Sequence, residues 1–193
     1  MDIIKGNLLL LIASFIWGTA FIAQASGMYY VGPLTFTFVR FLMGALTIFP
    51  LIYFFEKKIF FKLITNKKTL IIIICTSISL GLGATVQQYA LLYTEVSNAA
   101  FITALYVPMV PLILRIILKK EIHFSIWIAV IVCLFGLYLL TAEPKSETAS
   151  FYDILLIFAA LCFAIQIILT DIYTKSNQAP FTFAFSQYFL IFA

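Results

Sequence analysis

Charge is scarce in this chain: Asp, Glu, Lys and Arg make up 10% of it, while hydrophobic residues make up 64%. A soluble domain runs near a quarter charged and half apolar, and it could not hide so much apolar side chain from water. A water-soluble globular fold is therefore excluded, and lipid is the solvent for most of the residues. Histidine occurs once, at His123 in a short polar gap, so a histidine-based triad or zinc site has nothing to build from. Cys75, Cys133 and Cys162 each sit inside an apolar run, with no CxxC pair and no neighbouring histidine cluster. They read as inert thiols, neither a disulfide framework nor a metal centre. No GxxxxGK[ST] loop is present, so no phosphate cradle of that type is encoded. No cofactor is expected.

Apolar runs are what the chain has. A bilayer core about 30 Å thick takes roughly 20 helical residues to cross. Six runs of that order are predicted at Asn7–Gly27, Pro33–Phe55, Thr69–Tyr93, Ala99–Leu118, Ile122–Thr141 and Phe151–Tyr173, and a seventh begins at Pro180 and reaches Ala193. They are long and continuously apolar, whereas barrel strands alternate over about ten residues. In lipid each backbone amide must be satisfied within its own segment, which a helix achieves. The fold class is thus an all-α integral membrane protein with six complete transmembrane helices and part of a seventh. Ala23-Gln24-Ala25 has the form of a signal-peptide cleavage site. The long apolar stretch around Trp17, followed by many more, reads instead as a retained first transmembrane helix.

The formal charge of +4 matters less than its placement. Lys57, Lys58, Lys62, Lys67 and Lys68 fill the gap after the second run, Arg115, Lys119 and Lys120 flank the gap after the fourth, Lys5 precedes the first, and Lys175 follows the sixth. With alternating helices all of these fall on one face. The other face has Lys145 with Glu95, Glu143, Glu147 and Asp153. The positive-inside rule then places the N-terminus in the cytoplasm, in a cell inner membrane, and assigns the positive charge to orientation, not to nucleic-acid binding.

A short internal repeat is visible. Pro33-Leu34-Thr35-Phe36-Thr37-Phe38 reads like Pro180-Phe181-Thr182-Phe183-Ala184-Phe185, and Trp17 falls opposite Phe163 at nearly equal spacing. Five helices separate the two starts, and an odd number reverses the second copy in the membrane, the plan of an inverted-topology repeat. Residues 1–142 form a first five-helix unit on this reading, and 143–193 begin a second, inverted one. A complete 5+5 arrangement has ten helices, so three further helices are expected beyond this sequence.

Polar groups inside lipid need a reason. In the first helix Ser14, Trp17, Phe21 and Gln24 share a face; in the third, Ser77, Gly81, Ala84 and Gln88 do, with Thr76, Gly83 and Gln87 on a competing face. Gln87 and Gln88 point about 100° apart, so at most one faces a cavity squarely. Thr103 with Tyr106, and Phe163 with Gln166 and Thr170, make similar pairs. The set suits a cavity for a small amphipathic solute; interhelical hydrogen bonding is the alternative for each residue singly. Arg40 lies seven residues past Pro33, about 10 Å deep at 1.5 Å per residue. It either meets a substrate anion at the outer mouth or snorkels to the interface. Pro108 and Pro111 each remove a helical hydrogen bond and crowd the carbonyls of Ala104 and Val107, making a kink with a gating use or a static one. No carboxylate lies deep in the first five helices, which argues against exchange of cationic drugs for protons.

Trp17-Gly18, Pro33 leading to Arg40, the stretch from Ser97-Asn98-Ala99-Ala100 through Tyr106-Val107-Pro108, and Lys119-Lys120-Glu121 followed by an apolar helix with Gly136 resemble the EamA-type transporters of the drug/metabolite transporter superfamily. The resemblance implies two inverted five-helix units and export of amino acids or related metabolites. The expected function is a secondary transporter working by alternating access, with Trp17, Gln24, Arg40, Gln88 and Tyr106 lining or gating the substrate site and Pro108 and Pro111 forming the kink. Gln187 stands where the repeat places the counterpart of Arg40. The expected partners are a small-molecule substrate and membrane lipid, without nucleic acid, and a homodimer is open. Two other classes stay open: a non-transporting assembly or receptor subunit, and a lipid-modifying membrane enzyme. The enzyme would need acids, His or Ser clustered near one interface.

Overall fold

The computed structural model describes residues 3–57, 59–60, 65–141, 147–176 and 179–193. Every regular element among them is helical: α1 (Ile3–Gly27), α2 (Pro33–Leu51) running into a π-helical turn (Ile52–Glu56), α3 (Lys67–Ala90), α4 (Val96–Thr103), α5 (Tyr106–Ile116), α6 (Phe124–Thr141), α7 (Glu147–Ser176) and α8 (Pro180–Phe192). Lys58, Lys62, Glu143, Lys145 and the 142/143 unit boundary lie outside the described residues.

Among the described residues five stretches are long and apolar enough to cross a membrane: Ile4–Gly27, Pro33–Glu56, Lys67–Ala90, Val96–Ile116 and Phe151–Ser176. The expected fifth run is α6, 18 residues long, and the expected seventh is the shorter apolar helix Pro180–Phe192. Local chemistry sets the starts. Pro33 and Pro180 occupy the first turn of their helices, where no amide hydrogen is needed. Asn66 caps α3, its side-chain oxygen accepting from the Lys68 and Thr69 amides at 3.0 and 3.4 Å.

Three further prolines fall within α2 and α5. Pro108 has no N–H for the Ala104 carbonyl, which instead accepts from Val107 at 3.0 Å. The fourth expected run is therefore broken at Ala104–Leu105 into α4 and α5. Pro111 is accommodated inside α5. Pro50 precedes the π-turn, and this widened turn re-aims the residues after it. Tyr53, Phe54 and Phe55 stay exposed while Glu56 turns into the protein.

Two antiparallel pairs organise the bundle. Along α2 and α8, Phe41 meets Tyr188, Phe49 meets Phe185 and Phe55 meets Phe181, with ring centroids 5.5, 5.7 and 5.9 Å apart. Along α3 and α7, Tyr93 just past the end of α3 stacks on Tyr152, and Ile73 clusters with Tyr173 at the other end. Between those ends the helices come close because Gly83 has no side chain: a Cβ there would lie 3.1 Å from the Cβ of Cys162 and 3.0 Å from the Phe163 ring. α3 is consequently buried on several faces, with Thr76, Ser77, Gly83, Ala84, Gln87 and Gln88 all inside. α1 and α6 lie at the periphery, most of their large apolar side chains exposed. That exposure is ordinary for surfaces facing lipid.

Candidate functional site

α1, α2, α3, α7 and α8 line a half-open cavity of about 670 Å³, in the range of small-molecule sites. Its polar groups are Arg40, Gln87, Gln166, Thr170, Thr174 and Gln187, set among Trp17, Phe41, Phe163, Phe183 and Tyr188.

Arg40 points inward. Its Nη1 donates to Gln24 Oε1 at 2.8 Å, and its guanidinium lies 5.1 Å from the Phe41 ring centroid. Among the described residues no carboxylate pairs with it. Gln24, 3% exposed, holds the arginine without lining the cavity itself. Trp17 lines the cavity and stacks on Tyr106 at 5.6 Å with planes 20° apart. Tyr106 therefore supports the wall from behind. Across the cavity Gln166 donates to Gln187 Oε1 and to Thr170 Oγ1, each at 3.2 Å. The Phe163, Gln166 and Thr170 face of α7 is the one presented.

The two glutamines of α3 are placed differently. Gln87, not Gln88, borders the cavity, and its amide donates to Thr103 Oγ1 at 3.0 Å. Gln88 is fully buried, and neither of its amide atoms has a hydrogen-bond partner among the described residues. The 100° between neighbouring helical positions separates them, and because α3 is buried on both faces, polarity could not tell which side holds the cavity. Pro108 and Pro111 are buried and do not line it.

Phe41, Gly44 and Tyr188 were missed. A Cβ on Gly44 would lie 2.9 Å from the Tyr188 ring, so the missing side chain lets that ring reach α2. The repeat held the signal: the spacing that sets Arg40 opposite Gln187 also sets Phe41 opposite Tyr188. Glu56 was missed too. It is 5% exposed, and its Oε1 and Oε2 accept from the Phe181 and Thr182 amides at 3.1 and 2.7 Å. Asp171, by contrast, is half-exposed and paired with Lys175 at 2.6 Å.

Bilayer-length helices, α1, α2, α3 and α7 among them beside a polar-lined cavity, define a multi-pass membrane protein with a solute-sized site. Residues 4–142 match the EamA-like transporter family, and the chain belongs to that family. It is 29% identical over 183 residues to an uncharacterized transporter of Archaeoglobus fulgidus, an alignment covering 95% of this chain and 54% of the relative. The chain thus spans about half the length of that relative. No solved structure matches it.

Proposed function

We propose that this chain forms the substrate-binding part of a secondary transporter that moves small amphipathic metabolites, amino acids among them, across a cell inner membrane by alternating access. The observation that carries this reading is the cavity, with one cationic group, Arg40, facing neutral amides at Gln166 and Gln187. A guanidinium with no carboxylate partner among the described residues offers an anionic group of a solute two parallel hydrogen bonds. The amides take neutral polar groups, and the rings of Trp17, Phe163 and Tyr188 take an apolar body. Arg40, Gln87, Gln166 and Gln187 bind in this reading, Gln24 and Tyr106 position, and the break before Pro108 supplies a bend for gating.

The inverted repeat is part of the proposal. It is supported by the antiparallel course of α2 and α8 and by the meeting of matched positions, Phe41 with Tyr188. The N-terminus lies in the cytoplasm on this reading, by the lysine-rich gaps on that face. Cells overexpressing the full-length protein and challenged with toxic amino-acid analogues and amphipathic compounds test the function. Raised tolerance with faster efflux is expected, and unchanged tolerance across a broad panel contradicts it.

A further inference from the structure

We infer that Glu56 is the closing contact of the cavity's lysine-rich end, a latch joining α2 to the start of α8. Three independent features meet there. The π-turn after Pro50 brings an acid into the protein at the end of an apolar helix, where a solvated carboxylate is the ordinary outcome. Both carboxylate oxygens are engaged, one by the Phe181 amide and one by the Thr182 amide. The first amides of a helix lack partners within it and carry partial positive charge, so an ionised carboxylate is the acceptor that holds them most firmly. The same turn of α8 borders the cavity through Pro180, Phe183 and Ala184.

The surroundings make the contact suited to opening and closing. Phe183 stacks on Tyr173 with centroids 4.0 Å apart, and the Tyr173 hydroxyl donates to the Ala179 carbonyl at 3.2 Å. Phe181 packs on Phe55 beside the carboxylate. The first turn of α8 is thus held by α7 through rings and by α2 through Glu56. Releasing Glu56 removes the polar tie between α2 and α8 at this end and leaves only the Phe55–Phe181 and Phe49–Phe185 ring contacts there, while the Phe41–Tyr188 contact still joins them farther along. That is a hinge with a lock at one end. It gives Glu56 a positioning role that neither family membership nor the cavity assigns.

The inference rests on reading the cavity as a transport path, and its test needs no substrate. In the full-length protein with every native cysteine, Cys75, Cys133 and Cys162 among them, replaced by serine, Ala184→Cys places a thiol on the cavity wall. A membrane-impermeant maleimide is applied from each face of oriented vesicles. With Glu56 present, labelling from the lysine-rich face is slow. Glu56→Ala removes both acceptors and should speed labelling from that face about tenfold or more, since each hydrogen bond to a charged group is worth at least about a factor of ten. Glu56→Gln keeps one acceptor oxygen and should give a smaller rise on the same face; it decides the matter if the alanine variant does not reach the membrane. An unchanged rate, or an equal rise from both faces, overturns the latch. A one-sided rise in a protein that moves no solute leaves the latch standing and removes the transport reading.

Discussion

Arg40 sits half-buried on the cavity wall with a neutral amide as its hydrogen-bond partner, so its charge is available to a solute. Arg40→Gln keeps a polar side chain of reduced reach and removes the charge. Transport of carboxylate-bearing solutes should fall about tenfold or more, one charge-assisted hydrogen bond's worth, while neutral solutes change little. Initial rates for matched charged and neutral solutes check this split. The two glutamines of α3 make a second contrast. Gln88→Leu replaces a buried amide without partners among the described residues, and should leave stability unchanged or raise it by about 1–3 kcal/mol. Gln87→Leu strips Thr103 of its partner and changes the cavity wall, lowering stability by about 1 kcal/mol and altering transport. Denaturant unfolding in detergent, run beside transport, separates the two.

At the scale of the helices, α3 and α7 depend on Gly83. Its neighbour Cys162 meets it through a Cβ, which cannot swing away as the tip of a long side chain can. Gly83→Val should therefore destabilise by about 1–3 kcal/mol, read as a lower midpoint of unfolding. This scale also shows what was legible in the sequence. The spans could be read because lipid forces each apolar run to satisfy its own backbone, and Phe163, Gln166 and Thr170 could be placed because α7 presents one polar stripe. Gln87 could not be chosen over Gln88 because α3 is buried on opposite faces. Glu56 could not be seen facing inward because its direction depends on a π-turn, and a regular 3.6-residue period turns it elsewhere.

At the scale of the whole molecule, two antiparallel helix pairs hold a cavity with a cationic and a neutral side. Peripheral α1 and α6 give their apolar faces to lipid. Such a cavity serves transport only if a solute passes through it, and Ala184 offers the means to block it. Counterflow of labelled amphipathic solutes into proteoliposomes of the full-length protein, with and without Ala184→Trp, tests this directly. Uptake above that of empty vesicles, lost when the indole fills the cavity of a variant that still folds and inserts, is the predicted result. Uptake that persists undiminished past the tryptophan, or no uptake of any solute by the parent protein, would contradict it.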